Sequence, residues 1–413
     1  VTPVRVAIIG AGQRSRTVYV PLIPSLAKFV QVVAVCDPVK ANADRVAGML
    51  GVASFGSIRE LARQEHIEGA IVVTPPESHH SIVCHLLVQG IAALVETPLA
   101  STLSQAREMV RTARSVGRVL RVGENFIRTP IDRIVQKLMP LEIVGPIRRV
   151  FSYADHTGYH NNSRWVRLFG RPLWVQSITH EMPIEPFHSE PQRFHENETF
   201  VSNHFGFAAG CHVIDSMANV KGFLGRHARP GYTEWQGTRG TIIHRNAAGG
   251  WGLQHTESQI RRCSDAALNQ GHGFADELYP IRHEFDDAGR WVRTWVEAGG
   301  QMIEHVNPYR PARLCEIGPG RGEYGSSVMD HIADFARGVR GVGATEFDEV
   351  DALTAMEMEA AAHESAEAKG RRVVLPLGEK LSSDEAVRAA LQERLGCDPY
   401  DIQAMLDRSF PKP

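Results

Sequence analysis

Val4-Arg5-Val6-Ala7-Ile8-Ile9-Gly10-Ala11-Gly12-Gln13-Arg14-Ser15 opens on an apolar run and closes on a glycine loop. The run has the length of a buried strand, and helical spacing follows the loop. In that context Gly10 permits a tight turn, Gly12 lets a backbone approach a diphosphate, and the helix N-terminus offers amides and a positive dipole end. Ser15 stands where a third glycine is usual. Asp37 ends the next strand-like run, where a carboxylate can accept hydrogen bonds from ribose hydroxyls. Loop and acid together predict a dinucleotide site. The acid repels a 2′-phosphate, so NAD is favoured over NADP, and the nearby Arg14 moderates that preference.

Outward from this segment, apolar runs recur at 31–36, 69–74, 92–95 and 118–122, with helical spacing between them. Continuous apolar strands alternating with helices predict an α/β doubly wound parallel sheet covered on both faces. After about residue 150 the strands lengthen and carry more aromatics and histidines, and Gly237-Thr238-Arg239-Gly240 reads as a turn between two of them. That texture predicts a C-terminal α+β domain with a large, mostly antiparallel open sheet. Helical spacing returns at 328–338 and 347–368. The second of these places Val350, Leu353, Met356 and Ala360 on one side, a packing stripe. Ser382 with Glu385 predicts a capping box, and Asp398-Pro399 another helix start. The expected domains are 1–125 for the dinucleotide, 126–378 for substrate and oligomerisation, and 379–413 as a helical extension.

The 413 residues carry 45 basic and 47 acidic side chains, a formal charge of -2, so nothing in the balance asks for nucleic acid or an anionic membrane. A small-molecule partner is expected. Six dispersed cysteines without a C-x-x-C pair predict reduced thiols and a cytoplasmic protein. No exported leader and no membrane-spanning segment are expected.

Further motifs occur in a telling order: Thr74-Pro75-Pro76-Glu77-Ser78-His79, then Glu96-Thr97-Pro98, then Val122-Gly123-Glu124-Asn125 with Arg128, Gly145-Pro146-Ile147-Arg148, Gly237-Thr238-Arg239-Gly240, and Arg371-Arg372-Val373. Over about residues 4–375 the chain resembles the Gfo/Idh/MocA oxidoreductases. The resemblance implies a Rossmann domain followed by the open-sheet domain, and a homodimer or homotetramer formed through that sheet. It also implies oxidation of a sugar, cyclitol or related polyol, or reduction of its keto form, by a nicotinamide cofactor. Added to Gly10, Gly12, Gln13, Arg14 and Asp37, it implies that Thr74, Pro75, His79, Glu96, Thr97, Asn125 and the pair Arg164-Trp165 line the cofactor.

One departure matters. The family's E-K-P lysine handles the hydroxyl proton, and here Thr97 occupies its place, with a hydroxyl that cannot substitute for a tunable ammonium. The family's D-x-x-x-H pair has two candidate positions. Gly210-Cys211-His212-Val213-Ile214-Asp215 is closer in spelling, but His212 lies too near Gly237 to leave room for the helix and several strands expected between those landmarks. Arg164-Trp165, a glycine-rich run and Thr179-His180 fit the spacing better, with Gln176 in the aspartate's place. His180 is therefore the expected acid or base, and Tyr159, beside His160, a further substrate contact. Seven histidines between His156 and His212 raise the question of a metal, but no ligand spacing appears and none is expected. The missing lysine opens two other readings: an NAD-retaining glycosidase or lyase that works by transient oxidation and elimination, and a ligand-binding homologue without catalysis.

Overall fold

In the strands β1 (Val4–Ile9), β2 (Val30–Cys36), β4 (Gly69–Val72), β5 (Ala92–Val95) and β6 (Leu120–Val122), nearly every side chain is buried, as continuous apolar runs require, and β3 (Ala53–Phe55) joins them at one edge. They pair in parallel in the order β3-β2-β1-β4-β5-β6, so the chain reverses its winding direction between β1 and β4. β3 is short and half exposed, and the apolar runs of the sequence do not announce it. The structure is a computed structural model that describes residues 2–64, 66–153, 158–190, 193–218, 231–246, 256–269, 275–313, 315, 321–406 and 408–410.

Contacts divide the chain into two units, one of residues 1–128, 308–360 and 378–413, the other of 129–307 and 361–377. This differs from the division expected at 125 and 378, because the late helices complete the first core. Val328, Ile332 and Phe335 of the helix Arg321–Val339 are fully buried in one cluster with Val6, Ile8, Ile71 and Leu94. Gly69 in β4 has no side chain because the Phe335 ring fills that space; a Cβ there would lie 2.9 Å from it. Beyond the helix, Arg340 grips Glu68 with two hydrogen bonds of 2.6 and 2.8 Å and also donates to the carbonyls of Thr2 and Pro3. These bonds, foremost among their causes, hold the Glu68 carboxyl down at about 2.

The C-terminal residues are spent on the same unit. The expected Ser382/Glu385 capping box is absent: Leu381 is the N-cap of the helix Ser382–Leu395 and makes no side-chain cap. Asp384 instead accepts from the amides of Leu103 and Ser104 at 2.9 and 2.8 Å, satisfying first-turn donors of the helix Leu103–Ser115. Asp398 bends a turn by accepting from the Tyr400 amide, and the last helix begins only at Ile402, capped by Asp401.

The second unit contains β7 (Ile147–Tyr153), β8 (Pro172–Glu190), β9 (Arg193–Phe207), β10 (His212–Ala218), β11 (Tyr232–Gly237), β12 (Gly240–Asn246), β13 (Thr256–Arg262), β14 (Glu277–Pro280), β15 (Arg282–Phe285), β16 (Trp291–Ala298), β17 (Gln301–Val306) and β18 (Val373–Val374). Nine of them form one sheet, β14-β13-β12-β11-β7-β10-β9-β8-β18, in which only β7 and β10 run parallel. β15, β16 and β17 make a small antiparallel sheet. The 238–239 turn joins β11 to β12 as expected. The helix Glu349–Glu367 buries a broader arc than the expected stripe: Met356 and Ala360 are inside, Ala352, Ala355 and Met358 are wholly buried, and Val350 is 38 % exposed.

A polar knot lies inside this unit. Arg164, on the helix Gly158–Phe169, donates from Nε to Asp132 at 2.7 Å and lies over the rings of Trp165 and Trp235. Asp215 of β10 accepts from Asn161 at 2.9 Å and from Trp165 Nε1 at 3.4 Å. Burial outweighs these donors and pushes the Asp215 carboxyl up to about 6.

Two measurements test this architecture. Phe335→Ala should cost about 3–5 kcal/mol in denaturant unfolding of the first unit, the range for a truncated buried phenylalanine; a loss under about 1 kcal/mol would place that ring outside the core. A carboxyl with a raised folded pKa binds its proton more tightly when folded, so its contribution to stability improves as pH falls through 6 toward 4. Asp215→Asn should therefore flatten the change in unfolding midpoint between pH 7.5 and 5, whatever its offset at one pH. An unchanged slope would mean that Asp215 titrates normally.

Candidate functional site

The site of the first unit forms where β1 ends. Gly10 turns with φ +90°, and a Cβ there would come 2.4 Å from the Val73 carbonyl oxygen, so the loop fits against β4 only with glycine. Its amide donates to Cys36 at 2.8 Å, which ties it to β2. Ser15, in place of a third glycine, turns its hydroxyl back to the Gly10 carbonyl and is itself buried. Gly12 is exposed, with nothing within 4 Å of where a Cβ would be, and Gln13 beside it is exposed as well. Asp37 accepts from the Ala11 amide through Oδ2 and from the Val39 amide through Oδ1, both at 2.8 Å. The acid thus holds the glycine loop in shape and keeps a lone pair on each oxygen for a further donor.

The next turn is wider than an α-helix. Residues Ser15–Tyr19 form a π-helical turn closed by the Val20 amide on the Ser15 carbonyl. Five residues then make only a little more than one turn, so Arg14 and Tyr19 come to one side, whereas an α-helix would set them about 140° apart. Both reach the same atom: Arg14 Nε and the Tyr19 hydroxyl donate to Glu96 Oε1, the latter at 2.7 Å. The Thr97 amide donates to Oε2 at 3.2 Å. Arg14 also donates from Nη1 to the Tyr324 hydroxyl at 2.7 Å, and His331 Nε2 stands 3.5 Å from the Tyr19 oxygen.

Burial opposes the charge of Arg14, but Glu96, Tyr19 and Tyr324 outweigh it and raise its pKa above the usual value. Burial raises both phenols and, aided by Arg128 and Arg14, pushes His331 far down. Arg14 is thus a fixed cation among neutral neighbours and one carboxylate. Tyr19, Tyr324 and His331 carry no signal in the sequence: two lie at the far end of the chain from the loop, and Tyr19 is in register with Arg14 only in a π-turn.

Other expected residues divide by burial. Pro75 is exposed before the helix Pro76–Val88, and Thr74 and Thr97 are half-buried. Asn125, after β6, is buried with Nδ2 lacking a partner. His79, expected to line the cofactor, has a wholly buried ring. Its nitrogens stand 2.9 Å from the carbonyls of Thr74 and Pro98, so it clips two loops together from behind. Burial lowers its pKa. Glu96 likewise is taken up by Arg14, Tyr19 and Thr97. Arg164 and Trp165, also expected at the cofactor, spend their polar groups on Asp132, Asn161 and Asp215 within the second unit.

The expected D-x-x-x-H arrangement is not formed around His180. Gln176 and His180 lie on β8, where positions four apart are separated by about 13 Å. Gln176 donates to the Gly370 carbonyl, while His180 is exposed opposite Phe200. The alternative fares no better. His212 begins β10, packs against Trp174 and His204, and lies an odd number of strand positions from Asp215, which puts the two side chains on opposite faces. Tyr159 is half-buried near the start of its helix, and His156 lies outside the described residues. Among the described residues no three His, Cys, Asp or Glu gather as a metal site, and no helix is long and apolar enough to cross a membrane.

Residues 4–124 match the family model described as oxidoreductase family, NAD-binding Rossmann fold. The chain is 30 % identical to the uncharacterized oxidoreductase YdgJ of Escherichia coli over 43 % of this chain and 51 % of the relative. It is 34 % identical to D-glucoside 3-dehydrogenase of the same organism over 29 % of this chain and 34 % of the relative. The chain thus spans about half or less of the curated relatives it matches. A solved levoglucosan dehydrogenase, in complex with NADH and levoglucosan, shares the fold with a TM-score of 0.64 at 18 % identity, over 91 % of this chain and all of that one. A glycine loop set at the winding reversal of a six-stranded parallel sheet thus lies in a segment, residues 4–124, that matches the NAD-binding Rossmann model of the Gfo/Idh/MocA oxidoreductases, and a large mixed sheet follows it.

Proposed function

We propose that the protein is an NAD-dependent oxidoreductase acting on a sugar, cyclitol or related polyol, or on its keto form. The observation that carries this reading is the loop at the end of β1, where Gly10 makes the turn, Gly12 leaves its backbone open and Asp37 stands at the β2 end. A dinucleotide fits those residues: free first-turn amides suit a diphosphate and the Asp37 lone pairs suit ribose hydroxyls. The orphaned Asn125 amide adds a buried donor on the β6 side. When bound, NAD supplies a hydride acceptor for the carbon bearing the hydroxyl. The chain's part is to bind and orient that cofactor.

Arg14 bears on the choice of cofactor. It is drawn to Glu96 at the end of β5, three strands from β2 across β1 and β4. Three steps of sheet amount to about 14 Å. The one cation of the loop is therefore turned away from the acid, which leaves Asp37 to repel a 2′-phosphate. The substrate class rests on sequence kinship with a glucoside dehydrogenase. Thr97 favours a second reading, because a residue that moves no proton at neutral pH suits redox-neutral elimination with retained NAD.

Calorimetry should give NAD(H) binding at least tenfold tighter than NADP(H), with Asp37→Ala weakening NAD(H) by about tenfold or more; tighter NADP(H) binding, or none of either, would sink the cofactor assignment. A panel of sugars and cyclitols offered with NAD should raise absorbance at the reduced-cofactor band. Cleavage of an aryl glycoside with no net NADH would select the second reading instead.

A further inference from the structure

We infer that Arg14 is the residue that recognises the nicotinamide of the cofactor, donating from its free guanidinium edge to the carboxamide oxygen. The inference rests on the cofactor reading above and adds a residue, an end of the ligand and a kind of contact.

Three observations carry it. Arg14 Nε is spent on Glu96 and Nη1 on Tyr324, but Nη2 makes no hydrogen bond among the described residues, and the side chain remains 36 % exposed. The guanidinium is therefore pinned on two edges and open on the third, a pre-set donor whose ordering cost is already met. Its place along the sheet comes second. The adenosine half belongs with Asp37 beyond β2, and a ligand laid across the winding reversal between β1 and β4 carries its other half to the β4 and β5 side. Glu96 holds Arg14 at the end of β5, on that other side.

Charge is the third observation. Glu96 balances Arg14, and Tyr19, Tyr324 and His331 around them are neutral, so the cluster carries little net charge. Such a donor suits a neutral amide oxygen better than a phosphate. The π-turn favours this arrangement, because it brings Arg14 and Tyr19 to one side, where both meet one carboxylate oxygen. Tyr19, Glu96 and Tyr324 are positioning residues here.

The test compares NADH with ADP-ribose, which has the adenosine, both phosphates and the second ribose but lacks the nicotinamide. In calorimetry Arg14→Met should weaken NADH roughly tenfold or more, while ADP-ribose stays within about twofold. Intact ADP-ribose binding also shows that the variant is folded. Tyr324→Phe, which frees the guanidinium without removing it, should weaken NADH a fewfold with ADP-ribose unchanged, and it serves if Arg14→Met binds neither ligand. Equal weakening of both ligands, with binding of each still measurable in either variant, would move Arg14 to the shared part of the cofactor, and no weakening of either would leave it without contact; both results overturn the inference. Wild-type protein that binds neither ligand would overturn the cofactor reading itself, a separate outcome that removes this inference with it.

Discussion

Glu96 collects three protons on two oxygens: from Arg14, from Tyr19 and from the amide of Thr97. A buried carboxylate short of donors costs several kcal/mol, so each of these groups is fixed by the need to complete the set. Arg14 begins the glycine-loop helix, Tyr19 ends its π-turn, and Tyr324, bound to Arg14, comes from the late helix Arg321–Val339. At the other side of the loop, Asp37 does the same for the amides of Ala11 and Val39. Two carboxylates therefore bracket the loop, and its conformation is set by their hydrogen bonds as much as by its glycines.

The second unit solves the opposite problem. Its large sheet is assembled from long strands, and it places charge inside: Arg164 with Asp132, and Asp215 with the neutral donors Asn161, Trp165 and Ser152. Burial outweighs these donors and the nearby Arg164, which is why the Asp215 carboxyl holds its proton more tightly. In the histidine-rich hairpin of β8 and β9 rings pack on rings, Phe187 on His195 and His188 on Phe194.

How much is legible in the sequence follows from range. Strands β1, β2, β4, β5 and β6 are readable because burial on both faces forces continuous apolar runs; β3, short and half exposed, writes none. The Gly10, Gly12 and Asp37 set is readable because loop and acid belong to one βαβ unit with fixed spacing. The pairing of His180 with position 176 fails because four-residue spacing means proximity only on a helix, and β8 is a strand. Tyr324 and His331 cannot be read at all, since nothing local marks a residue whose partner lies at the opposite end of the chain. The caps fail for a related reason: Asp384 serves the distant helix Leu103–Ser115 in place of its own.

The membership of residues 308–360 in the first unit has a temporal consequence. Val6 and Ile8 share a core with Ile332 and Phe335, so the helix Arg321–Val339 must leave the ribosome before that core can close. Contacts of such long range nucleate late. The nascent N-terminal sheet must wait with one apolar face bare through the whole synthesis of the inserted β-rich unit, an interval in which a chaperone or the emerging chain itself has to keep it covered.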